Sequence, residues 1–103
     1  MSNYRNPKIL ALAREHSCQL CGADDSTIVA AHSNQGKHGK GMSIKAHDYF
    51  VIFCCSRCHS FIDTGSASKE SRVAAWEAAY EKTFPLFRHL LDAEALEDQW
   101  SKH

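Results

Sequence analysis

Two cysteine pairs carry the strongest chemical signal in the sequence, Cys18-Gln-Leu-Cys21 and Cys55-Ser-Arg-Cys58. Structural zinc takes four ligands in a tetrahedron, and two Cys-x-x-Cys turns brought together by a fold supply them. The spacing therefore predicts a structural Zn²⁺ held by Cys18, Cys21, Cys55 and Cys58. Buried free thiols acting as small apolar groups are the plainer alternative. A redox pair fits less well, because no βαβ pattern surrounds either motif. The fifth cysteine, Cys54, should point to the other side of its strand from Cys55 and pack in the core.

His59 follows Cys58 directly, and Asp63 stands four residues further on. Residues i and i+4 lie one above the other on a helix, so this imidazole and carboxylate can grip a second, harder ion. His32 closes an apolar, β-branched stretch. Taken alone, His59 reads equally well as a core or surface histidine. Between His32 and His47 runs "HSNQGKHGKGMSIKAH", with three Lys, three His, three Gly and no acid. Lys37, His38, Lys40 and Lys45 are candidates to hold phosphates without reading bases. The alternative for this segment is a solvated, mobile run of charge.

These residues need elements to position them. Asn6 and Pro7 carry helix-start signals, so a short helix should run toward Glu15. "CQLCG" reads as a zinc-knuckle turn, "TIVAAH" as a strand ending at His32, and residues 33–47 as a long loop. "YFVIF" is a second strand. "SRCHSFID" opens a short helix that should stop near Thr64-Gly65. Val73, Trp76, Tyr80, Phe84 and Phe87 recur at steps of three and four, which predicts an amphipathic core helix. Pro85 should kink or split it. A last helix should carry Leu86, Leu90, Leu91, Leu96 and Trp100.

A chain of 103 residues suits one domain, 1–103, and a hydrophobic fraction of 44% allows a core. A domain this small gains from a metal staple. No run of about 18 apolar residues is present, so no membrane span is expected. The N-terminus lacks the pattern of a secretory signal. A cytoplasmic setting follows as an expectation, and five cysteines there point to metal before disulfides. The formal net charge is +0, but residues 1–60 carry seven Lys and Arg against four acids, a net +3. Residues 61–103 carry five against eight, a net −3. An anionic partner should therefore meet the N-terminal part.

A histidine at a strand end, a basic glycine-containing loop, a second strand and a ligand-bearing helix follow the order of a ββα-metal site. The arrangement "CQLC…AH…CSRCH" resembles the HNH endonuclease superfamily. More closely, "AHSNQGKHGKGMSIKAHD" with "CSRCHSFIDTG" resembles the small YbcO-like nucleases of prophages and tailed phages, over roughly residues 14–84. The resemblance implies an α+β fold: a zinc-braced ββα-metal core over about 14–65, an N-terminal helix and a helical part over about 66–103. It implies His32 as general base and His59 as ligand of a catalytic Mg²⁺, Mn²⁺ or Ni²⁺. Where relatives carry a further ligand just before the base, this chain has Ala31, and the family's central Asn has no clear equivalent. Asp63 and Asp48 are the candidates to replace that ligand. The expected function is a metal-dependent DNA endonuclease of phage DNA recombination or processing, in a bacterial host cytoplasm. A zinc-containing nucleic-acid-binding module without catalysis is the alternative, and a small accessory protein a third.

Overall fold

In the computed structural model, which describes residues 3–103, Asn6 caps the first helix by accepting from the Lys8 N–H. Helix α1 (Pro7–Leu12) follows, with Pro7 in its first turn, and tightens into a 3-10 turn over Ala13–Glu15. Ile9 and Ala13 are buried from this segment. The knuckle turn comes next, and Gly22 adopts a left-handed φ of 83° that favours glycine there.

Strand β1 (Val29–His32) pairs antiparallel with β2 (Val51–Cys54), Val29 opposite Cys54 and His32 opposite Val51. All four residues of β2 are buried, which explains why it reads as an unbroken apolar run rather than an alternation. Both strands are shorter than expected. Tyr49 and Phe50 lie before β2 as a turn, yet both are buried. The order β1, loop, β2, α2 gives a small α+β fold with one two-stranded sheet and four helices among the described residues.

Helix α2 (Ser56–Thr64) starts one residue after Cys55, so the second knuckle is also the helix entry. It stops at Gly65, as expected. A Cβ there would stand 2.5 Å from the Phe61 carbonyl oxygen. Helix α3 (Lys69–Phe87) begins at Ser68, whose hydroxyl accepts from the Ser71 N–H. It lies across β2: Trp76, Tyr80, Thr83 and Phe87 are buried, with Val73 and Phe84 partly so. Tyr80 donates its hydroxyl to the Tyr49 carbonyl, and the Phe53 N–H donates to Thr83 Oγ1 at 3.4 Å.

Of the two outcomes expected at Pro85, a kink or a split, the split does not occur: α3 runs on through it. It sits in the last turn, so the missing N–H forfeits a single bond near the helix end. The chain then tightens into a 3-10 turn at Arg88–Leu90. Leu86, Leu90 and Leu91 accordingly precede α4 (Ala93–Lys102), which carries Leu96 and Trp100. Residues 33–47 are also more ordered than a mobile charge run. They hold a 3-10 turn (Gly36–His38), a bridge between Gly41 and Ile44, and a backbone bond from the His47 N–H to the His38 carbonyl. Asn3 and Arg5 donate from the N-terminal segment to the loop carbonyls of Gly39 and Lys45.

Candidate functional site

The four cysteines of the two pairs meet. Their Sγ atoms lie within 4.8 Å of one another, and Cys21 Sγ stands 3.7 Å from Cys55 Sγ. A tetrahedron with Zn–S bonds of about 2.3 Å has edges of about 3.8 Å, so this spacing fits a bound ion. The backbone N–H groups of Leu20 and Cys21 point at Cys18 Sγ, at 3.4 and 3.3 Å. Burial alone would raise the Cys18 thiol, but backbone donors from Cys21, Cys55 and Leu20 bring it down to about 6. Burial, with the neighbouring thiols, pushes Cys58 up. Four thiols crowded in this way cannot all ionise without a cation, and the cluster can hold a structural metal such as zinc. Cys54 stays outside it, fully buried, its thiol pushed up to about 12 by burial.

Beside this cluster, β1, α2 and the loop enclose a cleft of about 380 Å³. Its lining includes His32, His59 and Asp63, together with Lys40, Lys45 and Arg14. Asp63 is the one acid among the lining residues, so the cleft is cationic. On α2 the i, i+4 geometry brings His59 Nε2 to 3.0 Å from Asp63 Oδ2. Asp63 Oδ1 accepts from Asn34 Nδ2 at 2.9 Å. An imidazole nitrogen and a carboxylate oxygen this close, both half-exposed, form a donor pair suited to a divalent ion.

His32 is held differently. Its Nε2 lies 2.7 Å from Asp48 Oδ1. Asp48 also accepts from Arg5 Nη1 at 3.1 Å and, through Oδ2, from the Asn6 N–H at 2.7 Å. Burial by itself would raise the Asp48 carboxyl. The hydrogen bonds from His32 and Asn6 and the charges of His32 and Arg5 outweigh it and hold the group below the usual carboxylate range. An ionised carboxylate only accepts, so His32 Nε2 is the donor, and in the neutral imidazole Nδ1 then keeps the lone pair. This corrects the expectation for Asp48. Both its oxygens are engaged, it is 1% exposed, and it supports His32 instead of joining His59 and Asp63.

One of the loop candidates is also corrected. His38 is fully buried, stacked on Phe50 at 4.0 Å with Nδ1 2.7 Å from Ser33 Oγ, and burial lowers it to about 4. It cannot meet a phosphate. Lys37 is exposed but lies outside the cleft lining, its Nζ donating to the His103 carbonyl at 3.4 Å. Lys40 and Lys45 remain. Arg5, Arg14 and Asn34 escaped sequence reasoning. For Asn34 a signal existed: it follows His32 by two, the strand period, and the Ser33 N–H extends the pairing to the Phe50 carbonyl.

An antiparallel strand pair feeding a helix, with two cysteine pairs at one end and a cationic cleft beside it, defines the class of small α+β domains with a four-cysteine cluster. Residues 1–97 match the family DUF968, described as a protein of unknown function, and the chain belongs to that family. Comparison with curated proteins and with solved structures returned no match.

Proposed function

We propose that the chain is a metal-dependent endonuclease of HNH-like type that hydrolyses phosphodiester bonds in DNA. The supporting observation is that His32, His59, Asp63, Lys40 and Lys45 line one cleft. Three groups of a hydrolytic site thus stand beside cations suited to a phosphate backbone. His32 is the general base. Its Nε2–H is committed to Asp48, which fixes the tautomer and stabilises the imidazolium that forms when Nδ1 takes a proton from water. Arg5 and the Asn6 N–H keep Asp48 ionised for that task.

His59 and Asp63 would hold the catalytic Mg²⁺, Mn²⁺ or Ni²⁺, with Asn34 orienting the Asp63 carboxylate. Such an ion supplies Lewis-acid stabilisation to the scissile phosphate and the leaving oxygen. Lys40, Lys45 and Arg14 would carry flanking phosphates. Cys18, Cys21, Cys55 and Cys58 would hold a structural zinc that joins the knuckle to the start of α2, as the sulfur spacing favours. A role in phage DNA recombination or processing rests on the sequence resemblance.

Plasmid nicking with each of the three metals tests the reading, with His32→Ala as control. Cutting by the parent that is lost in the variant is the expected result. A second reading, a nucleic-acid-binding module without catalysis, draws on the presence of only one imidazole–carboxylate pair on α2. For that module the parent binds DNA and does not cut with any metal.

A further inference from the structure

Away from the cleft lining, a second group of metal-ligating side chains comes together. His38 from the loop, Glu77 from α3 and His103 after α4 each offer a ligand atom within 4.8 Å of the other two. Glu77 Oε1 lies 2.8 Å from His103 Nε2, and Glu77 Oε2 accepts from Gln35 Nε2 at 2.8 Å. The two rings stack with centroids 5.6 Å apart. Glu77 and His103 are about one-third exposed, so the cluster opens to solvent on that side.

His38 supplies an independent sign of a ligand. The residue is completely buried, and its Nδ1 is engaged by Ser33 Oγ. Its other nitrogen, Nε2, is the one buried side-chain nitrogen or oxygen without a hydrogen-bond partner among the described residues. A buried polar atom left unmade carries its full desolvation cost, and native structures keep such atoms for a reason. Ring packing alone would be served as well by phenylalanine, which has no such atom.

We propose that His38, Glu77 and His103 form a second metal site for a divalent transition ion of the zinc type, with His38 ligating through Nε2. Two imidazoles and one carboxylate are the donor set of open zinc sites, which keep a fourth position for water. Two nitrogen donors disfavour Mg²⁺ and Ca²⁺, which want oxygen. With the metal bound, Nδ1–H would donate to Ser33 Oγ, which lies 2.7 Å away; that leaves the Nε2 lone pair for the ion and orients the ring, as outer hydrogen bonds do around bound metals. The ligands come from three separate stretches of chain. The ion would tie the loop that carries Lys40 and Lys45 to α3 and to the residues after α4.

The site does not rest on the nuclease reading. Calorimetric titration with Zn²⁺, without nucleic acid, tests it in protein whose four-cysteine cluster is already filled. The His59→Ala/Asp63→Ala background removes the cleft pair from the count. One further equivalent of Zn²⁺ should bind in that background. Adding Glu77→Gln or His103→Ala should weaken it by about 100-fold or more, with helix content unchanged by circular dichroism. Co²⁺ in its place should show visible bands without a thiolate charge-transfer band, which separates this site from the cysteines. Absence of a further equivalent, or parental affinity in the His103→Ala protein, would overturn the proposal. So would a thiolate signature.

Discussion

Among single residues, Asp48 is the buried acceptor shared by His32, Arg5 and the Asn6 N–H. Its carboxyl titrates below the usual range in the folded chain, so its contribution to stability is complete above the unfolded value near pH 4. That contribution is lost as pH falls through the lower folded value, because the unfolded state then binds a proton the folded state does not. Asp48→Asn should cost about 3 kcal/mol at pH 7, since an amide leaves donors facing donors in a buried site. Urea unfolding at pH 7 and at pH 3 measures the gap between parent and variant. The gap should narrow at pH 3; a gap that stays constant would mean that folding does not lower the Asp48 carboxyl. The sequence does not reveal this role, because Asp48 and His32 are sixteen residues apart and meet only through the pairing of β1 with β2.

At the scale of the element, the loop of residues 33–47 divides its cations. Lys40 and Lys45 line the cleft, while Lys37 reaches toward the His103 carbonyl. Replacing Lys40 and Lys45 together by alanine should weaken DNA binding for all sequences alike and lower its salt slope by about 1–2. Lys37→Ala should leave the slope unchanged. Equal effects from the two variants, measured by fluorescence anisotropy across a salt series, would return the loop to a general charge effect. Local signals made the helix starts at Asn6 and Ser68 and the stop at Gly65 readable in principle, and Asn6 and Gly65 were read. The fate of His38 was not readable. A histidine between glycines and lysines looks solvated until Phe50 and Ser33 are seen to enclose it. Pro85 falls in the last turn of α3, where little helix remains to be split off, and its place there depends on where the helix ends.

At the scale of the whole molecule, two knuckles from distant stretches of chain close one cluster, and β2 passes straight from the core into it. The periodic aromatic residues of α3 announced the core, and the paired spacing announced the cysteine cluster. The cleft needed three dimensions, because His32 and Asp63 are joined only by the path through β2 and α2. No helix among the described residues is long and apolar enough to cross a membrane. If the cluster holds zinc, its binding is largely folding free energy, on the order of 10 kcal/mol in isolated fingers. Elemental analysis should find at least one tightly held zinc. Chelation should lower the melting temperature sharply, whereas full stability without the metal would contradict a structural role.

In the proposed nuclease, His32 moves the proton while His59 and Asp63 hold the divalent ion in one cleft. Single-turnover DNA cleavage over a metal titration tests it most directly. His32→Ala should lower the maximal rate by about 10²–10⁴ and leave the half-saturating metal concentration unchanged. His59→Ala and Asp63→Ala should raise that concentration and recover part of the rate at high metal. Cleavage by all three variants at the parental rate and metal dependence, or no cleavage by the parent with Mg²⁺, Mn²⁺ or Ni²⁺, would contradict the account.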